Sequence, residues 1–188
     1  MKNRFNYYLI LILTLVLTGC YSVRKTVENS KPNSEKINWP EAYGPDKAQF
    51  FVHNEIDIKA SPATVWDILI MAESWPDWYE GAKDVQITNS DAQALKDNSI
   101  FEWKTMGQDF TSYVTEFDEP YRLSWESKKS SIQGYHAWLI VPTKDGCKLI
   151  TSEAQFGFLT LMQKAFVPNK LRKLHDLWLA EIKQKAEK

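Results

Sequence analysis

His136 and Glu153 are the residue pair with the clearest capacity for chemistry in this chain. Lys144, Asp145 and Gly146 lie between them and read as a hairpin turn, so two antiparallel strands carry the pair toward each other. With Asp145-Gly146 as the turn centre, His136 falls opposite Ala154 and beside Glu153. A buried carboxylate is costly unless it is paired or hydrogen-bonded, and a histidine partner meets that need. Such a pair serves one of three ends: a structural hydrogen bond that holds the hairpin register, orientation of a ligand's hydroxyl or carbonyl, or general acid and base catalysis on an enolisable substrate. His53 alternates to the polar side of a first strand, and His175 lies between Leu174 and Asp176 on a last helix. Three histidines so dispersed make a poor metal site, and no metal is expected. No Gly-x-Ser-x-Gly elbow, phosphate loop or dinucleotide glycine fingerprint occurs, so no cofactor is expected either.

The elements that must position this pair follow from periodicity. Residues 51–58 alternate as a strand, with Phe50, Val52, Asn54, Ile56 and Ile58 on one side. A helix follows, with Ser61 as its N-cap, Pro62 at its first position, and an inward stripe of Val65, Trp66, Leu69 and Ile70. Residues 72–81, rich in Trp75, Pro76, Trp78 and Tyr79, break that helix. Extended segments come next near 85–88, 100–105, 109–117, 121–127, 133–141 and 147–156, joined by short turns. Short consecutive links predict an antiparallel meander. A helical region over 158–186 closes the chain, with Leu171, Leu174, Trp178 and Ile182 at helical spacing and Pro168 marking a kink or restart. The expectation is an α+β domain in the element order of the helix-grip fold: seven antiparallel strands, two short helices between strands 1 and 2, and a long C-terminal helix. Residues 50–188 form that domain.

Several local patterns then look familiar. Ala60-Ser61-Pro62-Ala63-Thr64-Val65-Trp66 entering the first helix and Trp75-Pro76-Asp77-Trp78 after it resemble the START-like, or SRPBCC, superfamily and within it the polyketide cyclase/dehydrase group. The glycine-centred hairpin before Gln108, the segment Glu119-Pro120-Tyr121-Arg122-Leu123-Ser124-Trp125, and His136-Ala137-Trp138 followed by Pro142, Gly146 and Glu153 extend the likeness over about residues 51–185. The resemblance implies a curved seven-stranded antiparallel sheet wrapped around the long C-terminal helix, with a deep, largely apolar cavity between them; it does not imply one function. Strand alternation assigns the inner face to Phe101, Trp103 and Thr105, to Leu123 and Trp125, to His136, Trp138 and Ile140, and to Cys147, Leu149, Thr151 and Glu153. The expected ligand-binding side chains are Trp66, Phe101, Trp103, Trp125, His136, Trp138, Leu149, Thr151 and Glu153, with His136 and Glu153 as the catalytic candidates. The tryptophans equally suit a filled core, or walls whose indole N–H groups fix a ligand's polar end.

What precedes the domain is an address. Lys2 and Arg4, an apolar run over 7–16, and Leu17-Thr18-Gly19 before Cys20 resemble a bacterial lipoprotein signal with its lipobox, against an ordinary signal peptide or a single anchoring helix. The resemblance implies cleavage after residue 19 and acyl chains such as palmitate on Cys20, enough for stable anchoring without a transmembrane helix. Residues 20–49, poor in apolar side chains, read as the lipidated cysteine and a flexible tether with a reach of roughly 30 Å, on which Trp39, Pro40 and Tyr43 are placed to dock against the domain. Only Cys147 then remains as a thiol, which excludes an internal disulfide. The near-neutral chain, with 23 basic against 24 acidic residues and no basic cluster, argues against nucleic acid. The charges Lys164, Lys170, Arg172, Lys173, Lys183 and Lys185 read as the last helix's solvated face. The expected protein is a monomeric lipoprotein of the cell envelope that binds or carries a hydrophobic or amphipathic small molecule or lipid. An outer-membrane place is open if the source has one. A cyclase or aromatase type of enzyme and a closed interaction module are the rivals.

Overall fold

The computed structural model describes residue 33 and residues 36–188. Cys20, the expected signal peptide and most of the expected tether lie outside the described residues. Seven strands, β1 (Phe50–Ile58), β2 (Lys83–Ile87), β3 (Ile100–Thr105), β4 (Gln108–Asp118), β5 (Arg122–Lys129), β6 (Ile132–Thr143) and β7 (Gly146–Phe156), form one antiparallel sheet in the order β1-β7-β6-β5-β4-β3-β2. The long crossover from β1 to β2 holds helix α1 (Pro62–Ile70) and a 3-10 helix (Ala72–Asp77). The chain closes with α2 (Phe158–Phe166) and α3 (Lys170–Ala186), separated at Pro168. This is the α+β helix-grip arrangement, with α3 packed on β1, β7 and α1.

Local chemistry explains the element boundaries. The Ser61 hydroxyl accepts a hydrogen bond from the Thr64 N–H at 3.1 Å, and Pro62 fills a position whose N–H would have no helical partner. A register shift between Val114 and Glu116 marks a bulge in β4, the kind of irregularity that bends a strand and helps a sheet to curve. The β6–β7 turn is Lys144-Asp145, closed by the pair Thr143–Gly146. The centre is thus one residue earlier than the sequence suggested, and the correction sets His136 directly opposite Glu153 instead of Ala154. Gly146 has φ +150°, and a Cβ there would meet the Ile58 carbonyl oxygen at 2.1 Å, so only glycine lets this turn lie against the end of β1.

Two apolar layers sandwich the sheet. The concave face carries Phe101, Trp103, Leu123, Trp125, Trp138, Ile140, Cys147 and Leu149 against Trp66, Leu69, Trp75, Trp178 and Ile182. The convex face of β1, β7 and β6 carries Phe51, Tyr135, Ala137, Leu139, Ile150 and Ala154, covered by Ile37, Tyr43 and Ala48. Composition placed residues 37–48 in the tether; they pack as part of the folded body, and Trp39 rests edge-on to Phe51 with ring centroids 5.9 Å apart. Among the described residues no helix is long and apolar enough to cross a membrane.

Candidate functional site: a cavity with one polar corner

Register assembles the site. Trp125 on β5 pairs with His136 on β6, His136 with Glu153 on β7, and Glu153 with Val52 on β1, so these side chains form one row across the sheet. Helix α3 lies above that row and buries Leu171, His175, Trp178, Leu179 and Ile182. Between sheet, α3 and α2 lies a cavity of about 300 Å³. Trp103, Trp125, Trp178 and Tyr79 form much of its aromatic wall, and Leu159, Met162, Phe166 and Val167 of α2 and its C-terminus line it from the other side. Phe158 and Phe166 are 67% and 73% exposed, so α2 also presents an apolar edge to the outside.

The polar corner consists of His136, Glu153 and His175. Glu153 Oε2 stands 3.3 Å from His136 Nδ1 and 3.2 Å from His175 Nε2. Its other oxygen accepts from Gln155 Nε2 at 2.6 Å, and His136 Nε2 lies 2.7 Å from Thr151 Oγ1. Gly134 leaves the space these groups need, since a Cβ there would stand 3.3 Å from Glu153 Oε1. Burial pulls the His136 pKa down to about 3, with the Glu153 charge opposing that shift only in part. Burial by itself pushes Glu153 upward, but the hydrogen bond from His175 and the neighbouring imidazoles hold its carboxyl below the usual range. Burial also raises the Tyr79 hydroxyl, reinforced by the charge of Glu153, and the Tyr79 ring stacks on Trp178 at 4.3 Å.

Trp103, Trp125, His136 and Glu153 line the cavity, as the strand alternation placed them. Trp66, Phe101, Trp138, Leu149 and Thr151 are buried in the surrounding core and do not border it. The Trp103 indole N–H, expected to face a ligand, donates to Ser112 Oγ at 2.9 Å. The histidines are less dispersed than their sequence positions suggested. His53 stays apart, beside Ser152 and Glu55, but α3 delivers His175 to the pair that the hairpin builds. A signal for this existed: Leu171, His175, Trp178 and Ile182 repeat at intervals of four, three and four, the spacing of one helix face. Gln155 and Gln163 also border the cavity, and the first shares the inward face of β7 with Glu153.

Comparison with known proteins places this architecture. No curated protein matches the chain. Hypothetical protein jhp0584 from Helicobacter pylori has a similar crystal structure, with a TM-score of 0.74 and 26% identity over 80% of this chain and 95% of that one. A START superfamily protein from Mycobacterium smegmatis is similar at TM-score 0.57 and 17% identity, covering 71% of this chain and 97% of that one. The Zhui aromatase/cyclase from a Streptomyces species is similar at TM-score 0.59 and 10% identity, covering 73% and 93%. At these last two identities the likeness concerns the fold alone, and the fold is START-like. A sequence profile then matches residues 49–187, strand β1 through helix α3, and by that match the chain belongs to the polyketide cyclase / dehydrase and lipid transport family.

Proposed function

We propose that this protein is a lipid-anchored binding protein of the cell envelope that holds one amphipathic small molecule between its sheet and its last helix. The observation that carries the reading is the asymmetry of the cavity. Its walls are aromatic and aliphatic, while four of its lining residues, Gln155, Gln163, His175 and Trp178, each carry a buried polar atom (Oε1, Nε2, Nδ1 and Nε1) that has no hydrogen-bond partner among the described residues. Each unpaired buried polar atom costs about 1–3 kcal/mol, and a ligand whose hydroxyl, carbonyl or amide bonds to them relieves that cost. The apolar body of such a ligand would lie against Trp103, Trp125 and Trp178. Acyl chains on Cys20 and the chain before residue 37 would keep the domain close to the membrane that supplies the ligand, which favours carriage over free diffusion. In a source with two membranes, Tyr21 after the lipidated cysteine, with no aspartate there, is compatible with the outer membrane.

The test is quenching of tryptophan fluorescence by brominated fatty acids and brominated lipids. A saturable, one-to-one quench is expected, with Trp103→Ala weakening binding by about 1–3 kcal/mol. A linear, non-saturating quench unaffected by that substitution would contradict the reading. Anchoring is tested separately, since Cys20→Ser should move the protein from the membrane fraction to the soluble one.

A second reading has a specific observation behind it. His136 and Glu153 stand side by side in a pocket with largely apolar walls, and a similar fold serves the Zhui aromatase/cyclase. An enzyme of that kind would use the pair to move a proton. It requires a turnover whose pH profile collapses in both His136→Ala and Glu153→Gln.

A further inference from the structure

We propose that His136, Glu153 and His175 form a binding site for a divalent first-row transition ion, zinc foremost, at the polar corner of the cavity. Two imidazoles and one carboxylate are a recurrent protein ligand set for zinc and for ferrous iron. One ligand atom from each residue lies within 4.8 Å of the other two. Two edges of the triangle already have the right length. With metal–ligand bonds of about 2.0–2.1 Å, neighbouring ligands of a tetrahedral ion stand about 3.3 Å apart. Glu153 Oε2 lies 3.3 Å from His136 Nδ1 and 3.2 Å from His175 Nε2. The edge between the two histidines is at most 4.8 Å, and a shared ion would draw it in.

The supporting contacts are those a metal ligand set needs. His136 Nε2 faces Thr151 Oγ1 at 2.7 Å, so its N–H can donate there and leave the Nδ1 lone pair for the ion. Gln155 Nε2 donates to Glu153 Oε1 at 2.6 Å, which fixes the carboxylate while Oε2 remains for coordination. The three ligands come from β6, β7 and α3, elements that the core holds rigid. A buried carboxylate whose neighbours are two imidazoles and a neutral amide lacks the full countercharge that an ion supplies. All three residues border the cavity, so the open side of the ion would face its occupant. Three protein ligands and one open position are the pattern of a site where the metal touches a bound molecule. The inference does not depend on the ligand class proposed above.

The experiment uses the full chain without an affinity tag, stripped with a chelator and then offered Zn²⁺ or Co²⁺. Elemental analysis after gel filtration should find about one ion per chain, and Co²⁺ should give the visible absorption of a four-coordinate site. Glu153→Gln and His175→Ala should each weaken binding by about 100-fold or more, while His53→Ala, outside the cluster, leaves it unchanged. Because unfolding of a variant also abolishes binding, nitrogen-15 NMR of the wild-type histidines provides an independent reading. On Zn²⁺ addition His136 should hold its proton on Nε2, with Nδ1 bound to metal. Less than about a tenth of an ion per chain at tenfold excess, or no change in the His136 signals, overturns the proposal. Brominated-lipid quenching on the same samples separates the two claims: quenching without metal uptake sinks this one alone, and metal uptake without quenching sinks the other.

Discussion

Glu153 is the residue on which the polar corner depends, because one carboxylate meets His136, His175 and Gln155 at once. Glu153→Gln keeps the shape and removes the charge, so at least one of those partners loses its acceptor at a buried position. The expected outcome is a loss of about 1–3 kcal/mol in stability by urea unfolding, together with weaker retention of a polar-headed ligand. A variant with wild-type stability and wild-type retention would mean that Glu153 has been assigned the wrong role. Strand alternation alone placed His136, Glu153, Trp103 and Trp125 on one face, since a period of two leaves no choice once the core side is known. His175 was only half legible, for a physical reason. Its spacing from Leu171, Trp178 and Ile182 puts it on one helix face, but Leu174 fits the same stripe, and only the tilt of α3 over the sheet brings His175 against Glu153.

At the scale of elements, the β6–β7 hairpin determines whether His136 faces Glu153, and its register rests on a two-residue turn. The sequence announced the turn but not its centre, because Lys144-Asp145 and Asp145-Gly146 both suit hairpin geometry until Gly146 is pressed against the Ile58 carbonyl. Gly146→Ala should therefore cost about 2 kcal/mol or more, from the positive φ and the collision together. Thermal unfolding checks this, and an unchanged midpoint would mean that the turn can relax without loss. Other boundaries were legible because local chemistry fixes them: Ser61 and Pro62 start α1, and Pro168 divides α2 from α3. The convex face was less so. The run from Tyr135 to Val141 is almost continuously apolar, which signals a strand covered on both sides but not what covers it.

For the whole molecule, that cover is the segment around Ile37, Trp39 and Tyr43, so the folded body begins before the family match at residue 49. A chain starting at residue 50 would expose Phe51, Tyr135, Leu139 and Ile150. Compared with one starting at residue 33, it should lose about 3 kcal/mol or more of stability and associate at high concentration. Equal unfolding midpoints would show that the segment contributes little. What the cavity holds is decided by mass spectrometry of an organic extract from the full-length protein, purified from its own host in mild detergent. One amphipathic compound per chain is expected, with an apolar body and a hydroxyl, carbonyl or amide head, and it should be lost from Trp103→Ala. Protein that carries no such compound, and that gains no thermal stability from fatty acids, sterols or quinones at concentrations well above the micromolar range, would contradict the proposed function.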